Sequence, residues 1–317
     1  MHTLMLLAAA LGYVGASIAF ARSFSSVRSP GESRAPILLL SGAFALHTID
    51  LGLEVMRAGV LPVATFAGGF SFFAWLLVGL YLALQARMSL AVVGVLVSPL
   101  AFLAAIADVL LRGDDVAVPE ALRSPWLAVH VTLAFLGNAV FALAFAVSAA
   151  FLLQQNQLKS RRSGSLVHRL PAIETLDRLS LVFLLWGFPL LTLGIVTGGF
   201  WSLSATGHFW TGEPREILAV LTWVLYAGLL QLRLLGGLHG RRAATWTIAA
   251  FTVLLASYLI VNLLQIGGRH GQGLASGMTQ GLASGMTQGS AASGTTSGQP
   301  AATTHGVAGE KSGERAE

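Results

Sequence analysis

No cysteine occurs anywhere in the chain. That absence excludes disulfides, thiol redox chemistry, zinc–thiolate sites and a c-type haem attached to the chain itself. Charge is also scarce. Only 10% of the 317 residues are Asp, Glu, Lys or Arg, where a soluble domain carries about a quarter. Too little polar surface remains to face water on every side. The chain also lacks a Gly-rich phosphate loop ending in Lys-Ser or Lys-Thr, a zinc-protease His-Glu-x-x-His and any nucleophile motif. What it has instead is 55% hydrophobic residues and a mean hydropathy of +0.73. These are the marks of a polytopic membrane protein. The formal charge of +5 comes with no nucleic-acid recognition module, so nucleic acid is not an expected partner. Basic loops on such a chain set orientation.

A spanning helix needs about 20 apolar residues, and eight segments qualify: residues 3–21, 35–56, 67–85, 90–111, 126–153, 179–202, 215–235 and 243–266. All are expected to be helices, because lipid cannot satisfy an open backbone. The expected fold class is therefore all-α, a bundle of about eight transmembrane helices. The first segment has no Lys or Arg before its apolar run, so it is read as an uncleaved span rather than a signal peptide.

With the N-terminus outside, the inner side collects Arg22, Arg28, Arg34, Arg87, Lys159, Arg161, Arg162, Arg169, Arg178, Arg233, Arg241 and Arg242, twelve of the 19 basic residues. The basic-residue bias thus predicts that both termini lie outside. Residues 1–266 form the expected transmembrane domain. Residues 267–317 are rich in Gly, Ser, Ala and Thr and repeat GLASGMTQ at 273–280 and 281–288. Such a tail cannot bury enough apolar area to offset its ordering entropy, so it is expected to be disordered.

This topology gathers chemistry on one side. His130 falls one turn into the fifth span, His208 in the loop after the sixth, and His270 just past the eighth. Trp201, Phe209 and Trp210 share the loop region. Neutral imidazoles can ligate haem iron from opposite faces while aromatic rings cover the porphyrin. His130 and His270 are the axial pair in that reading. The same residues also suit an ordinary interfacial aromatic belt.

In the second span His47, Asp50 and Glu54 follow at i, i+3 and i+7, on one helical stripe at mid-membrane and above. Ionisable groups at that depth are costly and face protein or water. The stripe suits a possible intramembrane polar site with Asp50 orienting His47, a path for protons, or a helix-packing network. Asp108 is expected to pair with Arg112 at i+4. Asn138, Gln231 and Asn262 are expected to bond between helices.

Three stretches carry a family resemblance: GFPLLTLGIVTGGFW at 187–201, PREILAVLTWVLYAGLLQLRL at 214–234 and GRRAATWTIAAFTVLLASYLIVNLL at 240–264. ALHTIDLGL at 45–53 and PVATFAGGFSFFAW at 62–75 add a weaker likeness. With these segments the chain resembles the CcsA-type cytochrome c assembly proteins and their shorter HemX- and YpjD-like relatives, most strongly over residues 176–270.

The resemblance implies a haem-handling core at about 126–270, with haem b held non-covalently at the outer face of the bacterial cytoplasmic membrane. It implies His130 and His270 as axial ligands and the loop at 208–216 as the tryptophan-rich platform, with Trp201, Phe209 and Trp210. His208 and Glu213 are expected to tune the site or contact propionates. The implied partners are haem, a membrane subunit of a cytochrome c assembly system, and apocytochrome c. The chain would be at most the haem-delivery subunit of an attachment system.

Two departures stand out. Gly212 and Glu213 replace the family's tryptophan and aspartate before the proline, and Gln231 replaces a histidine inside the next helix. A second, intramembrane haem is therefore not expected. The alternative functions are a HemX-like regulator or scaffold of tetrapyrrole synthesis acting through residues 154–178, or a transporter of haem or another small molecule along the His47, Asp50 and Glu54 stripe.

Overall fold

The computed structural model describes residues 2–25, 34–61, 63, 65–88, 90–112, 124–159 and 171–260. Among them are eight helices and no strand: α1 (His2–Ser25), α2 (Ala35–Ala58), α3 (Phe66–Gln85), α4 (Ala91–Leu111), α5 (Pro125–Lys159), α6 (Ile173–Thr206), α7 (Pro214–Leu234) and α8 (Gly240–Ile260). Every one is long and apolar enough to cross a membrane. The all-α polytopic class expected from composition is the observed one. The tail, His270 and Asn262 lie outside the described residues.

The helix ends follow local chemistry. Gly59 and Gly207 close α2 and α6 in the left-handed conformation, with φ of 70° and 77°, where a side chain would be strained. Thr65 caps α3 by accepting a hydrogen bond from the Gly68 amide at 3.0 Å. Pro214 opens α7 at the position where its missing N–H costs nothing. α5 and α6 run past their apolar stretches to 35 and 34 residues. Gln, Leu, Lys, Glu and Arg are good helix formers, so QQNQLK and IETLDR continue the helices outward. At 1.5 Å per residue each reaches about 50 Å, well beyond a hydrocarbon core of about 30 Å.

Burial separates interior from lipid face. Tyr13, Tyr81, Tyr226, Phe20 and Phe141 are fully buried, while Leu38, Met56, Trp186 and Trp246 are widely exposed. Such an apolar exterior suits a hydrocarbon solvent.

α1 to α4 pack among themselves, α5 and α6 make the most extensive pair, and α7 lies on α6. α8 packs on α5 through Phe145 and Phe251, with ring centroids 5.1 Å apart, and on α3 through Phe70 and Tyr258 at 5.7 Å. Sequential helices alternate in direction, as contacts such as His2 to Asp50, Trp126 to Phe200 and Arg233 to Asp177 require. One end of the bundle therefore gathers the starts of α1, α3, α5 and α7 with the ends of α2, α4, α6 and α8.

Candidate functional site

The α5–α6 seam is built on glycine. A Cβ at Gly187 would lie 2.6 Å from the Phe141 ring, and one at Gly194 would lie 3.2 Å from the Ala134 backbone. Small residues at such spacing let two membrane helices approach closely. One turn nearer the end of α6, a Cβ at Gly198 would lie 2.7 Å from both Cε1 and Nδ1 of His130. The half-buried imidazole thus occupies the space that glycine leaves. Its Nδ1 is 2.7 Å from the Gly194 carbonyl oxygen. A carbonyl can only accept, so Nδ1 carries the proton and Nε2 keeps its lone pair. Nε2 makes no hydrogen bond among the described residues.

The loop following α6 is shorter than the sequence suggests. α6 continues through Thr206, so Trp201 sits half-buried on its final turns rather than in the loop. The aromatic loop proper is residues 207–213. Ser202 on α6 donates to the His208 carbonyl at 2.9 Å. Phe209 lies against Gly199, where any side chain would meet its ring. It also packs edge-on to Phe200 at 5.7 Å, and Phe200 meets Trp126 of α5 at 5.3 Å. His208 and Glu213 are exposed, and Phe209 and Trp210 remain 47% and 49% exposed. Half-exposed rings fixed from behind offer a flat apolar surface.

The far side of the loop is held by Glu216. Its carboxylate accepts from the Thr211 amide at 2.9 Å, the Thr211 hydroxyl at 2.8 Å and the Gly212 amide at 2.8 Å. Gly212 supplies the required left-handed turn, with φ of 75°. Glu213, expected to tune the site, makes no side-chain cap bond. The signal for Glu216 was present as an acid two residues after a helix-opening proline.

The α2 stripe divides into two networks. His47 is fully buried, with Nδ1 2.9 Å from the Tyr13 hydroxyl and Nε2 2.8 Å from Ser71 Oγ. Asp50 does not orient it. Its carboxylate faces His2 of α1, with Nδ1 2.8 Å from Oδ2, because α1 crosses the stripe on that side. Glu54 pairs with Arg112 at 2.6 Å, and Arg112 also holds Asp108 at 2.8 Å, the expected i+4 pair. Among the described residues no cluster of three or more His, Asp or Glu has the geometry to hold a metal ion. Gln231, expected between helices, is exposed instead, and Asn138 is half-buried.

His130, Trp126, Phe200 and Phe209 are therefore brought together at one end of the seam, whereas the His47, Asp50 and Glu54 groups lie among α1 to α4. Trp126, Phe200, Gly194 and Gly198 escaped sequence reading, since only the pairing of α5 with α6 gives them a neighbour.

Fold and site together define a multi-span helical membrane protein with a histidine and an aromatic loop at one end of the bundle. Residues 37–268 match the family model described as cytochrome C assembly protein, and the chain belongs to that family. It is similar to proteins named cytochrome c biogenesis protein CcsA. It is 30% identical to that of Synechococcus sp. strain CC9605, over 81% of this chain and 92% of the relative. It is 30% identical to that of Guillardia theta, over 72% and 80%, and 28% identical to that of Microcystis aeruginosa, over 71% and 82%.

Proposed function

We propose that this protein binds haem b non-covalently at the aromatic-loop end of its bundle and presents it for cytochrome c maturation. The observation that carries this reading is the His130 imidazole, protonated at Nδ1 toward Gly194 and without a hydrogen-bond partner at Nε2 among the described residues, beside the rings of Trp126, Phe200 and Phe209. A neutral nitrogen donor next to apolar aromatic surface is the chemistry a haem face requires. Membership of the cytochrome c assembly family supports it further.

His130 and His270 would ligate the iron. Trp201, Phe209 and Trp210 would cover the macrocycle, and His208 and Glu213 would contact propionates or tune the site. Bound haem supplies vinyl groups for thioether formation with a thiol. The chain contains no cysteine, so that thiol belongs to apocytochrome c. The chain's own part is to bind, orient and shield the cofactor. A membrane partner subunit would guide the acceptor. The basic-residue bias supports a bacterial cytoplasmic membrane location with both termini and this loop outside.

The deciding experiment is an absorption spectrum of detergent-purified protein from haem-replete cells, oxidised and reduced, beside the His130→Ala/His270→Ala double variant. A Soret band with sharp reduced α and β bands in the wild type, lost in the variant, is expected. A wild type without a Soret band even after haem addition would overturn the proposal.

A further inference from the structure

Resting on that reading of His130, we infer that Gly194 and Gly198 are positioning residues that fix which nitrogen of His130 faces the iron and how strongly it donates. A histidine on a helix ordinarily has a choice of tautomer and ring rotation. Here both are removed by one turn of α6. The Gly194 carbonyl accepts from Nδ1 at 2.7 Å, leaving only Nε2 as a donor atom. The bare Cα of Gly198 receives the ring, since a Cβ there would stand 2.7 Å from Cε1 and Nδ1. Moving the helices apart to relieve such a clash would also open the close contact of Ala134 with Gly194 one turn further along the seam.

An imidazole hydrogen-bonded through its second nitrogen is a stronger ligand, which favours the oxidised metal and lowers its potential. Thr197 shares the same acceptor: its single hydroxyl proton is divided between the Leu193 carbonyl at 2.7 Å and the Gly194 carbonyl at 3.0 Å. The next residue, Gly199, seats Phe209 of the aromatic loop. Residues 194–199 thus hold the ligand and its cover within two turns of α6.

The test compares Gly198→Ala with Gly187→Ala, whose added methyl meets Phe141 just as closely in the same seam without touching His130. Thr197→Val, a change of equal shape, serves as a third variant that does not crowd the seam. Each is purified with haem and titrated for midpoint potential. The His130 tautomer is read in haem-free protein by nitrogen-15 NMR.

Gly198→Ala is expected to raise the potential, weaken haem retention by about 10- to 100-fold and lose the single Nδ1–H tautomer. Thr197→Val is expected to lower the potential, because a hydroxyl 3.0 Å from the Gly194 carbonyl no longer shares that acceptor with His130. Gly187→Ala should keep the wild-type potential and tautomer. The inference fails if Thr197→Val leaves the potential unmoved, or if Gly198→Ala and Gly187→Ala behave alike. A wild type that takes up no haem sinks the haem reading and this inference with it. A haem-loaded wild type whose potential ignores residues 197 and 198 sinks only the positioning role.

Discussion

Arg112, just past the end of α4, reaches Glu54 on α2 at 2.6 Å while its other nitrogens grip both oxygens of Asp108 at 2.8 and 3.1 Å. Asp108 is fully buried. Burial works against the guanidinium charge, but the hydrogen bonds to Asp108 and Glu54 outweigh it and hold Arg112 above its ordinary pKa. The fork geometry of arginine suits this double grip, which lysine cannot reproduce.

Replacing Arg112 with Gln should therefore leave the buried Asp108 carboxylate on α4 without its cation, and Glu54 on α2 with only His2, at 3.8 Å, among the described residues. The expected loss of stability is about 3–5 kcal/mol, read as a lower midpoint in thermal unfolding of the detergent-solubilised protein. Arg112→Gln combined with Asp108→Asn should recover most of it.

His47 joins three helices through hydroxyls on α1 and α3. A His47→Leu change strands the Tyr13 and Ser71 hydroxyls in the interior, at about 1–3 kcal/mol for each unsatisfied group. Bound haem per protein should stay at the wild-type level in the fraction that folds. A loss of haem without a loss of stability would instead place His47 in the haem site.

Glu216→Ala removes the acceptor for Thr211 and Gly212. Hydrogen exchange at these two amides should then quicken roughly fivefold or more, as follows from losing about 1 kcal/mol of hydrogen bonding. Exchange in the body of α7 should be unchanged, which separates a loop staple from a general helix defect.

Arg233 is almost wholly buried on the last turn of α7, bonded to Asp177 Oδ1 at 2.8 Å and to Ser180 Oγ at 3.0 Å. Arg233→Ala should loosen α7 from α6 and lower the unfolding midpoint, whereas Asp177→Asn, which keeps an acceptor oxygen, should cost less. Protease sensitivity near the α7–α8 junction gives an independent readout.

The eight helices were legible in the chain because lipid leaves a long apolar run no other structure. Their order, their alternation and the pairing of Asp108 with Arg112 were legible for the same reason: each depends on near neighbours or on length alone. The likeness of residues 176–270 to the cytochrome c assembly family was equally open to reading, since it lies in contiguous segments.

Contacts between distant segments were not legible. The His47, Asp50 and Glu54 stripe left open whether Asp50 orients His47, passes protons or packs helices, and Asp50 faces His2 on another helix. Arg233, one of the inner-side basic residues, is a buried brace between helices. Trp201 was assigned to a loop that α6 absorbs, because its helix ends where Gly207 permits a left-handed turn and not where the apolar run weakens. The sequence by itself determined that this chain spans a membrane as helices, because hydropathy and backbone hydrogen bonding act along the chain. Only the tertiary structure decided that His130 meets Gly194 and Gly198, because 64 residues separate His130 from the carbonyl it bonds, and only close packing of α5 on α6 turns a missing side chain into a seat for an imidazole.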